Sequence, residues 1–220
     1  MTDRPKLYWI SGSPPAWRVM LALVLKDIPF ASLPLDHGKG ENRTEPYLRI
    51  NPRGRVPTLV HGPVVVRESI AILAYLDRAW PERSLFGGNA AEAAAIWQQV
   101  MEFESDLRPA STTIATTLLR GEAGRNPDAL AAALERFLAL LDEVEIALAG
   151  SAYLGGETPS AADCWLYPTL GWIDRAIART TGPVAPELTT YMDRPALAAW
   201  RSRFGARPGI SATYPPHWAN

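Results

Sequence analysis

The sequence predicts an α/β domain followed by an all-α domain. Over residues 1–79, short runs of branched and aromatic residues alternate with amphipathic helical segments. From residue 90 onward, alanine- and leucine-rich segments have helical periodicity, and no strand pattern appears there. Residues 80–89 contain Pro81, Gly87 and Gly88, which is typical of a linker. We therefore expect one domain at 1–79, a linker at 80–89 and a second domain at 90–220.

The first 79 residues have the element order of a thioredoxin-like unit. A strand, a helix and a second strand form a parallel pair with a crossover helix. A polar loop, a short helical turn, a two-stranded hairpin and a final helix follow. These elements are predicted at residues 6–10, 16–26, 28–34, 46–50, 58–60, 64–66 and 69–79. The expected result is a mixed four-stranded sheet with helices packed on it.

The second half is predicted to be a helical bundle. Its helices are expected at residues 90–107, 128–149, 161–178, 186–192 and 195–204. Pro109 interrupts the helical pattern after Arg108, where it either kinks or ends the helix. The tail at 214–220 is expected to be irregular and to pack through Trp218.

Composition and charge restrict the class of protein. The 220 residues carry a formal net charge of −1, so no nucleic-acid-binding surface is expected. The single cysteine, Cys164, excludes an intrachain disulfide and suits a reducing cytosol. The three histidines are far apart in sequence, so no metal site is expected. Neither a signal peptide nor an apolar run of the ~18 residues that span a membrane is present. We expect a cytoplasmic protein with no membrane partner.

Ser13 stands where the first strand gives way to the first helix. A helix N-terminus favours an anion because unpaired N–H groups and the macrodipole point there. A thiol held at this position would ionise more readily. Lowering its pKa by two units from the ordinary ~8.5 needs roughly 2.7 kcal/mol. One charge-assisted hydrogen bond and a helix end supply energy of that order. Ser13 is therefore a candidate to stabilise a bound thiolate; the alternative is an ordinary N-cap before Pro14.

Two other motifs point to a peptide-like ligand. If the bond between Val56 and Pro57 is cis, Val56 presents its N–H and C=O outward for pairing with such a ligand; an ordinary trans bond is the alternative. Glu68 and Ser69 join a strand to a helix. The helix start can hold a carboxylate and Glu68 can accept from an ammonium group, as the zwitterionic end of an amino acid requires. The alternative there is a helix cap beside a solvated acid.

In this order, the motifs resemble the glutathione transferase superfamily. The run from Ser13 to Arg18 resembles the serine-type classes (theta, phi and zeta), and its spacing places Ser13 on their thiol-activating serine. The tyrosine-type classes use a tyrosine in the first strand, and by spacing its position falls on Trp9. Tyr8 is one residue off and so lies on the opposite face of the strand. We therefore prefer Ser13 to Tyr8 as the thiol-activating residue, with Ser11 as a weaker alternative. In the helical half, residues 155–163 resemble the family's Ser-x-Ala-Asp capping motif, which is structural.

The resemblance also implies which residues bind glutathione. Residues near the glycine carboxylate, around the family's cis-proline and at the γ-glutamyl end have counterparts in this chain. They are Asn42, Arg43, Arg55, Val56, Pro57, Glu68 and Ser69. The resemblance implies a homodimeric glutathione transferase. Its first domain binds glutathione as a co-substrate. The thiol of glutathione then attacks an electrophilic small molecule held by the helical domain.

Two alternatives to this function remain open. A zeta-like, glutathione-dependent isomerase of an unsaturated diacid would need extra cationic groups, and Arg18 is the only obvious one. Of the zeta run Ser-Ser-Cys-Ser-Trp-Arg, this chain keeps one serine and the Trp17-Arg18 pair. The other alternative is a non-catalytic module of the same fold that binds glutathione or another ligand.

Overall fold

The computed structural model describes residues 4–182 and 184–218. Two compact units divide these residues: 4–86 together with 208–218, and the rest of the chain from 87 to 207. The expected boundaries differ from this division at the C-terminus, because the sequence placed residues 208–220 with the helices. The described part of that segment belongs to the first unit, since its aromatic side chains pack on the first helix.

A mixed four-stranded sheet forms the centre of the first unit, as predicted. Its strands are β1 (Lys6–Trp9), β2 (Ala31–Pro34), β3 (Thr58–His61) and β4 (Val64–Arg67). The strand order is β2-β1-β3-β4. β1 is parallel to β2 and antiparallel to β3, which forms a hairpin with β4. β2 begins later than expected because the Ile28 N–H donates back to the Leu23 carbonyl at 2.9 Å and completes the end of the preceding helix.

Three helices pack against this sheet, as predicted. They are α1 (Pro14–Leu25), α2 (Glu45–Ile50) and α3 (Ser69–Ala79). Apolar residues from β1, β3, α1 and α3 are completely buried and form the core; among them are Leu7, Leu21, Leu23, Leu59, Ile72, Leu73 and Leu76. α1 begins at a serine cap followed by two prolines, whose missing N–H groups would have no helical partner in the first turn.

The C-terminal segment at 208–218 folds over the start of α1. Trp17 Nε1 donates to Thr213 Oγ1 at 2.7 Å, and the Trp17 ring lies 5.5 Å from Tyr214 and 5.7 Å from Trp218. One 3₁₀ turn, Ser211–Thr213, precedes the tail that was expected to be irregular, and a second, Pro216–Trp218, lies within it. Packing through Trp218 is confirmed; residues 219 and 220 lie outside the described residues.

The second unit is helical, as predicted. Its helices are α4 (Ala90–Glu102), α5 (Arg108–Leu119), α6 (Pro127–Ala149), α7 (Ala161–Arg179), α8 (Pro186–Thr189) and α9 (Pro195–Gly205). Along the described part of the chain, no helix combines the length and the apolar character needed to cross a membrane.

A π-helical turn, Phe103–Leu107, joins α4 to α5. Pro109 has no N–H to donate, and its ring crowds the carbonyl one turn earlier, so the chain widens here and the Arg108 N–H bonds to the Phe103 carbonyl. The interruption at Pro109 was expected, whereas α5 was not. The Ser-Thr-Thr-Ile-Ala-Thr-Thr run of α5 has low helix propensity, and packing against α6 and α7 overrides it.

The capping motif predicted at the start of α7 is confirmed. Ser160 caps the helix, and Asp163 accepts from the Ser160 N–H at 2.7 Å and the Ser160 hydroxyl at 2.8 Å. Asp163 also accepts from the Leu154 N–H at 3.0 Å and from Trp200 Nε1 at 2.6 Å. Burial raises the pKa of the Asp163 carboxyl, and these donors hold that rise back. One carboxylate thus ties α7 to α9 and to the preceding loop.

Candidate functional site

The three predicted motifs meet at one edge of the sheet. Tyr8, Thr58 and Arg67 lie opposite one another in register across β1, β3 and β4. Since β3 runs antiparallel to both of its neighbours, the end of β1, the start of β3 and the end of β4 share this edge. Ser13 follows β1 after a turn, the Val-Pro pair directly precedes β3, and the Glu-Ser pair directly follows β4. Strand direction therefore brings together residues that are up to 56 positions apart in the sequence.

Ser13 is half-buried and caps α1 with a long hydrogen bond. Its Oγ accepts from the Ala16 N–H at 3.4 Å, which leaves the hydroxyl proton available to another acceptor. Pro14 and Pro15 remove two of the N–H groups that a helix start normally offers to an anion. The Ser13 hydroxyl is therefore the principal donor that this helix start can supply.

The peptide bond between Val56 and Pro57 is cis, as the family resemblance implied. A partly buried chain of hydrogen bonds holds the loop that leads into this bond. Tyr47 donates to the Arg55 carbonyl at 2.6 Å and lies 2.9 Å from the Thr58 hydroxyl. Asn51 donates to the same carbonyl at 2.7 Å and to Thr58 Oγ1 at 3.0 Å. Burial raises the pKa of the Tyr47 hydroxyl, so this group stays protonated and keeps its donor.

Glu68 has an unusual backbone conformation at the end of β4. Its φ is +68° with ψ at 122°, a region that non-glycine residues rarely occupy and that is enriched at functional sites. The exposed Glu68 carboxylate lies 3.4 Å from Arg53, and Ser69, which opens α3, is buried. Arg18 is also buried and donates to Ser69 Oγ at 3.4 Å, so it is not a surface residue.

The residues expected at the glycine end of the ligand occupy different environments. Asn42 is buried and donates to the Gly54 carbonyl at 2.8 Å, while its Oδ1 has no hydrogen-bond partner in the described chain. The Arg43 guanidinium is exposed beside the same loop, 3.5 Å from the Arg53 carbonyl. The Arg55 side chain is exposed as well. Asn42 thus supports the loop, and the arginines supply its positive charge.

Arg53, which pairs with Glu68, was not among the residues that the sequence predicted for the candidate site. Its ion pair with Glu68 joins two loops separated by β3 and β4. The only sequence signal was the Asn-Pro-Arg-Gly turn, which predicts a turn but not the partner of its arginine. Tyr8 lies against α2, where its ring is 5.7 Å from Tyr47. No cluster of metal-binding side chains occurs within the residues that the structure describes.

Comparison with known proteins identifies the family. Residues 4–78 match the model of the glutathione S-transferase N-terminal domain, and residues 127–203 match that of the glutathione S-transferase C-terminal domain. The chain belongs to the glutathione S-transferase family. The superfamily that the motifs resemble is thereby confirmed, as is the predicted fold class.

Individual glutathione S-transferases are similar to this chain over most of its length. Glutathione S-transferase A of Pleuronectes platessa is 30% identical over 218 residues, which cover 96% of this chain and 92% of that protein. Glutathione S-transferase 1 of Dianthus caryophyllus is 32% identical over 171 residues, 77% of each chain. This chain matches the crystal structure of a glutathione S-transferase from the Antarctic clam Laternula elliptica with a TM-score of 0.80 and 29% sequence identity. The match covers 99% of this chain and 95% of the clam protein.

Proposed function

We propose that this transferase joins the sulfur of glutathione to an electrophilic small molecule. The observation that carries the proposal is the meeting of a donor hydroxyl, a cis Val-Pro segment and a Glu-Ser pair at one edge of the sheet. Glutathione is a tripeptide with a thiol in its middle and charged groups at both ends. The site offers a matching group for each of these parts.

Each part of glutathione is assigned to one region of the site. The Val56 N–H and C=O pair with the cysteinyl backbone of glutathione. Ser69 and the start of α3 hold the γ-glutamyl carboxylate, and Glu68 accepts from the γ-glutamyl ammonium. Arg43 and Arg55 supply positive charge for the glycine carboxylate, while Pro57 and Asn42 shape the loop. With glutathione held in this way, we expect its sulfur at the start of α1, next to Ser13.

Ser13 then stabilises the thiolate by donating a hydrogen bond. The thiol proton passes to solvent, the sulfur lone pair forms a bond to the electrophilic carbon, and the leaving group departs with its bonding electrons. Catalysis comes from the population of thiolate and its positioning. The reaction belongs in the cytosol, where thiols stay reduced, and a role in detoxification follows from this chemistry.

Calorimetry and turnover test this function together. We expect reduced glutathione to bind, and an aryl chloride activated by nitro groups to be conjugated. Binding without turnover of any of several electrophiles would favour a non-catalytic module. Turnover of maleylacetone instead of the aryl chloride would favour the isomerase. No heat with either reduced or S-methylated glutathione would contradict the proposal.

Glu68→Gln is expected to weaken glutathione binding about tenfold. The substitution keeps the shape of the side chain but removes the charge that faces the ligand's ammonium group, and hydrogen bonds to charged groups contribute about 1.5 to 3 kcal/mol. The deaminated analogue of glutathione should bind both proteins equally, because it lacks that ammonium group. Calorimetry of the two ligands measures both effects.

Glu45→Gln is the matched control for this prediction. Glu45 is an exposed glutamate in the first turn of α2, paired with Arg49 at 3.4 Å. Its substitution should leave both affinities unchanged. Equal weakening of glutathione and its deaminated analogue by Glu68→Gln would remove Glu68 from the ammonium site.

The proposed homodimer uses the exposed apolar side of α4. Trp97 is 36% exposed and Met101 is 54% exposed, and the two lie one helical turn apart on the same face. Tryptophan and methionine are enriched at protein interfaces. We expect the double substitution Trp97→Glu and Met101→Glu to give monomers in light scattering. Ile146→Glu, at a residue of α6 that is 76% exposed, is the control and should remain dimeric. A double variant that stays dimeric would contradict the use of this face.

A further inference from the structure

Ser11 and Gly12 form the centre of the turn that leads from β1 to Ser13. The Ser13 N–H closes this turn by donating to the Ile10 carbonyl at 3.2 Å. Gly12 has a φ of +82°, the left-handed conformation that a type II turn requires at its third residue. The conformation of this turn therefore sets the position of the Ser13 hydroxyl.

His217 contacts both central residues of the turn. Its Nδ1 lies 2.8 Å from Ser11 Oγ. A Cβ atom placed on Gly12 would lie only 3.0 Å from Cε1 and 3.2 Å from Nε2 of the imidazole. The ring thus covers the side of Gly12 from which other residues extend a side chain. A hydrogen bond and a close packing contact both act on the turn.

The segment that carries His217 is attached to α1 by other residues. Trp17 donates to Thr213 at 2.7 Å, and the buried Trp218 packs edge-on against the Trp17 ring at 5.7 Å. Val24 of α1 closely approaches Gly209 at the other end of the segment, 2.9 Å from the position of a Cβ atom there. His217 therefore contacts the turn from a segment that is anchored on both sides.

We propose that His217 is a positioning residue for the Ser13 hydroxyl and acts through Ser11 and Gly12. The inference rests on the proposed function, since it concerns how well Ser13 is aimed at the glutathione sulfur. By restricting the turn, His217 raises the fraction of molecules in which Ser13 faces the sulfur. It therefore supports thiolate formation and turnover, whereas glutathione affinity comes from residues next to β3 and α3.

His217→Ala tests this role by three measurements on the full-length protein: kcat, KM for glutathione, and the ultraviolet absorbance of the bound thiolate against pH. We expect kcat to fall about fivefold, the effect of one lost hydrogen bond, and the bound thiol to ionise at higher pH. KM for glutathione should stay unchanged. His217→Asn should retain most of the activity, because the asparagine amide can occupy the place of Nδ1.

Two comparisons separate positioning from simple stabilisation. Ser11→Ala should give part of the effect of His217→Ala, because it removes the hydrogen bond but leaves the packing of the ring on Gly12. The double variant should be no worse than His217→Ala, because the hydrogen bond is lost only once. His37→Ala, at an exposed loop histidine, should leave every measurement unchanged.

The possible results distinguish the inference from the proposed function. If the wild-type protein shows bound thiolate and His217→Ala leaves both the thiol titration and kcat unchanged, the positioning role alone is overturned. This holds even where the variant unfolds at a lower temperature. A wild-type protein with no bound thiolate at any pH overturns the proposed function together with this inference. A shifted titration in His217→Ala that His217→Asn restores supports the positioning role.

Discussion

Replacement of Ser13 by alanine should lower kcat/KM for conjugation about a hundredfold, because a charge-assisted hydrogen bond of up to about 3 kcal/mol is lost from the thiolate. Glutathione affinity should change much less, since the binding groups next to β3 and α3 remain in place. The bound thiol should also ionise at a pH closer to that of free glutathione. Steady-state kinetics, calorimetry and the thiolate absorbance measure these three effects.

The same substitution removes the N-cap of α1, so cap loss needs its own control. Asn89 caps α4 by accepting from the Ala91 and Glu92 N–H groups, each at 3.0 Å. Asn89→Ala should lower the free energy of unfolding by about 1 kcal/mol and leave the thiol chemistry unchanged. Ser13→Thr keeps a hydroxyl and should retain part of the activity. An unchanged rate in Ser13→Ala would eliminate the serine mechanism.

Replacement of Asp163 by alanine should cause the largest loss of stability. The change removes the acceptor for four donors from three residues: the buried N–H groups of Ser160 and Trp200, the buried Ser160 hydroxyl and the partly buried Leu154 N–H. Each unsatisfied buried donor costs about 1 to 3 kcal/mol, so we expect a loss of about 3 to 5 kcal/mol in the free energy of unfolding. Denaturant unfolding followed by circular dichroism measures it.

Asp128→Ala provides the comparison for this loss. Asp128 is an exposed acid in the first turn of α6, where its interaction with the helix dipole contributes about 0.3 to 1 kcal/mol. Asp163→Asn should lie between the two, because the amide keeps an acceptor oxygen but turns a donor toward the Ser160 N–H. Similar losses in Asp163→Ala and Asp128→Ala would show that the buried hydrogen bonds contribute little.

Sequence reasoning succeeded where local signals and burial agreed. The strands of the first unit, the helix at 69–79 and the cap at Ser160 each combine periodicity with a recognisable boundary residue. It failed for α5, whose β-branched residues have low helix propensity and whose stability comes from neighbouring helices. Tertiary packing, which no local window contains, decided that element.

The candidate site also contains both residues with a local sequence signal and contacts that have none. The places of Ser13, the Val-Pro pair and the Glu-Ser pair in the fold could be predicted because each lies at a local boundary between elements; their contacts with glutathione stay predictions. The burial of Arg18, the ion pair from Arg53 to Glu68 and the contact of His217 with Ser11 depend on chain segments that meet only in the folded unit. The last of these joins residues 206 positions apart, beyond the reach of any motif.

A crystal structure of the protein with reduced glutathione would test the central claim most directly. The deciding observation is which side-chain group lies nearest the sulfur. We predict that the sulfur lies within hydrogen-bond distance of Ser13 Oγ at the start of α1, with the cysteinyl backbone paired to Val56. A bound tripeptide whose sulfur lies beside Tyr8, or faces away from α1, would contradict the assignment of Ser13 as the thiolate donor.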